Sequence, residues 1–128
     1  MKLIAKVLVV ILNLFPVGNA FAHGDHASEH GGVMGRGDDS IVVEFAMEKG
    51  TLILYVEDDA GKPLAMKGVT GTLTVVAPQG PSQQVKLIRV SDRKFTAPGA
   101  KPRPGDRMRA RIQVANGEEI ESVGLFPK

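Results

Sequence analysis

Residues 107–114 read Arg-Met-Arg-Ala-Arg-Ile-Gln-Val, and residues 115–126 continue Ala-Asn-Gly-Glu-Glu-Ile-Glu-Ser-Val-Gly-Leu-Phe. The first run alternates without a break. Met108, Ala110, Ile112 and Val114 share one face and Arg107, Arg109 and Arg111 the other, the period-two signature of a half-buried strand. The return run fixes the register. A two-residue Asn116-Gly117 turn would set Ile112 against Glu121, mixing core and solvent faces, which a sheet with one buried face rejects. A three-residue loop, Ala115-Asn116-Gly117 with Gly117 left-handed, sets Ile112 against Ile120 and Arg111 against Glu121. The second register is therefore expected.

Outward from this hairpin, short β-rich runs recur between turn residues. Strands are expected near 41–47, 51–58, 71–76, 84–90, 94–97, 107–115 and 118–126, with breaks such as Glu48-Lys49-Gly50 and Asp59-Ala60-Gly61-Lys62-Pro63. Thr51 to Val56 is apolar on both faces, as suits a central strand covered on each side. Thr72 and Thr74 alternate with Leu73 and Val75, giving one wet face. No stretch beyond the first 22 residues has helical periodicity. The expectation is an all-β fold, a small immunoglobulin-like β-sandwich of about seven strands over residues 41–127.

The ends of the chain differ from this pattern. Met1 to Lys6 carries two lysines, Val7 to Val17 is almost wholly apolar, and Ala20-Phe21-Ala22 supplies small residues at a cleavage site. This is the build of a secretory signal peptide, and it predicts export to the periplasm with cleavage after Ala22. Interrupted by Asn13 and Pro16, the run is too short for a stable membrane span, which needs about 20 apolar residues. The chain of 128 residues carries 16 basic and 14 acidic side chains, with a formal charge of +2. Loss of Lys2 and Lys6 with the signal leaves 14 of each. The support for a nucleic-acid or other polyanion partner goes with them.

Residues 23–40, HGDHASEHGGVMGRGDDS, are polar and glycine-rich and are expected as a flexible arm. All three histidines of the chain, His23, His26 and His30, fall here, interleaved with Asp25 and Glu29. Neutral imidazole is the commonest protein ligand for zinc, copper and nickel, and carboxylates complete such sites. Cysteine is absent, so any metal must be held by His, Met, carboxylate or backbone groups. With His23 at a new amino terminus, its α-amine and ring nitrogen would chelate one metal together, and His26 would add a third nitrogen. Met34, next to the histidines, is a weaker thioether candidate for copper(I). A glycine-rich arm loses much entropy on closing around an ion, so affinity should be modest unless the domain pre-organises part of the site.

Catalysis finds no foothold, because histidine is confined to the arm, no serine sits in a nucleophile elbow and the glycines form no phosphate loop. The chain is expected not to be an enzyme. Arg107, Arg109 and Arg111, with Lys101 and Arg103, form a basic set that reads first as a solvated face and second as a surface for an acidic partner.

The string His30-Gly31-Gly32, the strand Leu54-Tyr55-Val56, Asp59 with Gly61-Lys62-Pro63, the run Gly68 to Val75 and the closing Leu125-Phe126-Pro127 carry a family resemblance. Together they resemble the amino-terminal domain of periplasmic adaptor subunits of heavy-metal efflux systems of the resistance–nodulation–division class. Small stand-alone periplasmic proteins share the pattern. The resemblance spans roughly residues 26–127 and implies a β-sandwich with a metal-handling arm, serving export of copper, zinc, cobalt, nickel or cadmium. It carries over His30 alone by position. The chain departs from a full adaptor in lacking the long helical hairpin and lipoyl-like parts, and its His tract is short. The resulting expectation is a buffer or carrier of a divalent transition metal, copper or zinc foremost, partnered with an efflux pump. The alternative is an interaction module that docks an envelope or efflux partner without metal.

Overall fold

The structure, a computed structural model, describes residues 27–38, 40–64, 69–114 and 117–127. The expected signal peptide and the candidate ligands His23, Asp25 and His26 lie outside these residues. Ten strands follow in order: β1 (Val33–Met34), β2 (Arg36–Gly37), β3 (Ile41–Glu48), β4 (Thr51–Asp58), β5 (Thr70–Val76), β6 (Ser82–Lys86), β7 (Ile88–Ser91), β8 (Lys94–Ala97), β9 (Arg107–Gln113) and β10 (Glu119–Leu125). They form two five-stranded antiparallel sheets, β1-β3-β4-β8-β7 and β2-β10-β9-β5-β6. From β3 onward this is the A-B-E-D and G-F-C-C′ order of immunoglobulin-like sandwiches. The all-β sandwich expected from the alternation is the observed fold. Among the described residues no helix is long and apolar enough to cross a membrane.

The inward faces follow from the sequence period. Val43, Phe45, Leu52, Leu54 and Val56 of the first sheet meet Leu73, Met108, Ala110 and Ile112 of the second, all at most 2% exposed. The β9–β10 register is the one that burial demands, with Ile112 opposite Ile120 and Arg111 opposite Glu121. Gly117, at φ 90°, donates its N–H to Val114 O, and Val114 N–H bonds Glu118 O, which closes the three-residue loop. β4 lies between β3 and β8 with its inward face buried; on its outward face Ile53 is only 5% exposed, but Thr51 is exposed and Tyr55 and Glu57 are half-buried, so the expected cover on both faces is only partial.

Two readings need correction. The strand expected over 84–90 is two strands in different sheets, because Leu87 turns into the core and bonds Gly71 O while β7 continues on the other sheet. The sequence carries a trace of the crossing, because the apolar positions shift phase by one residue there, from Val85 and Leu87 to Ile88 and Val90. The stretch 23–40 also does not stay an arm to its end: β1 pairs with β3 and β2 with β10, so the chain edges both sheets. Low apolar content means that a segment builds no core of its own. It does not stop the segment from taking backbone hydrogen bonds at a sheet edge that already exists. Gly35 makes the crossing between β1 and β2, and a Cβ there would collide with Ser122 Oγ and the Phe45 ring.

Candidate functional site

Outward residues of the first sheet form a continuous cross-strand row, Met34–Glu44–Tyr55–Lys94, contributed by β1, β3, β4 and β8. Residues 28–32 fold over this row. Glu44 is 4% exposed, although its strand turns it away from the core. Its carboxylate accepts the Ser28 hydroxyl at 2.9 Å and the backbone N–H groups of Glu29 at 3.1 Å, His30 at 3.0 Å and Gly32 at 2.7 Å. Burial by itself would raise the Glu44 pKa, but these donors outweigh it and hold the carboxyl below its ordinary value. Charge-assisted bonds of this type are roughly twice as strong as neutral ones. One carboxylate thus fastens a five-residue segment to the sheet.

The fastening places His30. Its ring stacks on Tyr55 with centroids 3.6 Å apart and an interplanar angle of 11°. Tyr55 is itself held, because its hydroxyl donates to Glu48 Oε2. That bond, with burial and the Glu48 charge, pushes the Tyr55 pKa up to about 12. The same bond lowers the Glu48 pKa, helped by the Lys94 ammonium, whose Nζ lies 3.6 Å from Glu48 Oε1 and 5.6 Å from the Tyr55 ring centroid. Stacking occupies the face of the imidazole and leaves its in-plane nitrogens clear. No described residue bonds either of them.

Glu29, His30 and Met34 line one pocket of about 220 Å³, with Glu44, Tyr55, Glu57 and Arg93 in its wall. Glu57 and Arg93 pair at 2.8 Å, and Arg93 also reaches Gly61 O at 3.2 Å. The three described members of the expected ligand set are therefore brought together. An imidazole, a carboxylate and a thioether suit a borderline metal such as copper or zinc. Among the described residues no group of three or more His, Asp or Glu is placed to hold an ion, so a complete shell would draw on donors from outside them.

The expected basic set is divided. Arg109 and Arg111 meet Glu121 Oε2 through Nε at 3.6 Å and 3.1 Å, on the outer face of the second sheet. Arg107 follows on the same strand, opposite Val76 and Leu125. Lys101 and Arg103 instead line a separate hollow with Gln83 and Asp106. The sequence reading did not single out Glu44, Glu48 and Tyr55. The available signal was a lone carboxylate inside Ile-Val-Val-Glu-Phe-Ala-Met, an unusual residue for a strand whose neighbours are all apolar. Compared with protein families, with curated proteins and with solved structures, the chain finds no match among them.

Proposed function

We propose that this chain is a periplasmic protein that binds a divalent transition metal, copper or zinc foremost, through its amino-terminal histidine segment and passes the ion to a heavy-metal efflux system. The observation that supports the reading is the docking of His30 on Tyr55, in one pocket with Glu29 and Met34. A free glycine-rich arm would have to order all its ligands at once. Here Glu44 has already ordered the segment around His30, so less entropy remains to be lost when the other proposed ligands, His23, Asp25 and His26, join it. The efflux assignment rests on the family resemblance alone. Transfer would proceed by ligand exchange, since donors on the free side of the ion detach one at a time.

Metal-bound imidazole must be deprotonated, so affinity should fall steeply below about pH 6. Calorimetric titration of the exported chain with copper(II) and with zinc, before and after His30→Ala, tests the proposal. Loss of one ligand should weaken binding on the order of tenfold or more. Unchanged affinity in both His30→Ala and a His23→Ala/His26→Ala double variant would overturn it.

A further inference from the structure

The outer face of the second sheet carries a feature that metal binding does not use. Lys86, Thr72 and Arg111 are cross-strand neighbours on β6, β5 and β9, and Gln84, Thr74 and Arg109 form the next row with the same plan. Each row sets a small hydroxyl residue between two longer donors. The result is a groove of about 550 Å³ floored by Thr70 and Thr72 and walled by Gln84, Lys86, Arg111 and Gln113. Its cations are poorly neutralised. Arg109 and Arg111 share one oxygen of Glu121, and Arg109 Nε is buried without a hydrogen-bond partner. Both arginines approach Glu121 through Nε, and among the described residues no hydrogen bond from their terminal nitrogens is seen. Among the described residues no carboxylate pairs with Lys86.

We infer that this groove docks an extended acidic segment of a partner protein, with carboxylates at alternate residues. Equivalent rows lie two residues apart along β5, about 6.8 Å, which is the spacing of residues i and i+2 in an extended chain. One carboxylate would sit over Thr72 between Lys86 and Arg111, and the next over Thr74 between Gln84 and Arg109. Glu119, in the lining with Gln113 and Thr70, repels a third acid and so limits the acidic run to these two rows. The described part of this face presents no aromatic ring, so it lacks the stacking platforms by which single-stranded nucleic acid is held.

A peptide of alternating Glu and Thr, titrated into the isotopically labelled chain and followed by NMR, is the test. Amide shifts should concentrate at Thr70, Thr72, Lys86 and Arg111, and the affinity should fall steeply with added salt. Lys86→Glu, which breaks no ion pair among the described residues, should weaken binding on the order of tenfold. Arg111→Gln should do the same. Shifts located elsewhere, or an unchanged affinity in Lys86→Glu, would overturn the assignment. So would tighter capture by the same groove of a sulfated oligosaccharide or a single-stranded oligonucleotide, which would identify the ligand as another polyanion. Because the His30 pocket lies on the opposite sheet, failure here leaves metal binding untouched, and failure there leaves the groove.

Discussion

The outer faces of the two sheets solve the problem of an exposed charged surface in opposite ways. On the first sheet, Glu44 is buried and fully engaged by donors from a chain segment laid over it. On the second, Arg109, Arg111 and Glu121 remain between 37% and 51% exposed, and among the described residues both arginines form ion pairs with Glu121 alone. A buried carboxylate with several donors organises the backbone around it. An exposed ion pair is worth about 0.2–1 kcal/mol and organises little. The first face is consequently pre-arranged, and the second is left available.

The contrast breaks most visibly at Glu44. Glu44→Ala should unfasten residues 28–32, cost on the order of 2–3 kcal/mol in chemical denaturation, and abolish hydrogen-exchange protection at the Glu29, His30 and Gly32 amides. Retained protection there would show that edge pairing of β1 is sufficient. Glu44 also makes stability depend on pH. Its folded pKa lies below the ordinary 4.5, so its contribution is complete above that value and is lost as pH falls through the lower folded value. Glu44→Gln should flatten the stability profile below about pH 4.5, with little change in its shape at neutral pH.

A smaller effect is expected at Tyr55. Tyr55→Leu removes the surface on which His30 stacks and should weaken copper(II) binding several-fold, whereas Tyr55→Phe keeps the stack and loses only the Glu48 bond, worth about 1 kcal/mol of stability. Equal metal affinities in the two variants would separate stacking from binding. The smallest effect belongs to the second face. Arg111→Ala should change stability by less than about 1 kcal/mol, and that difference should vanish at high salt. A larger, salt-independent loss would mean that the arginine row carries structural weight after all.

Much of the fold was legible in the residues. The 107–126 hairpin was readable to the register, because period-two burial leaves only one pairing that keeps Met108, Ile112 and Ile120 together. The other long strands were found as β-rich runs bounded by turn residues. The division at Leu87 was not, because the change of phase from Val85 and Leu87 to Ile88 and Val90 marks an irregularity without saying which sheet the chain joins next. The site was half legible. Clustering of histidine marked the segment, but nothing local indicates that Glu44 would capture it.

By itself, then, the sequence determined the strand pattern, the two-faced sheets and the place where metal-type donors gather, because each depends on residue type and short-range spacing. Tertiary structure alone decided that His30 rests on Tyr55, that Glu29 and Met34 join it, and that Lys86 and Arg111 flank Thr72. Those neighbours are brought together by strand pairing and by one buried carboxylate. Both act between residues far apart in the chain, where local periodicity carries no information.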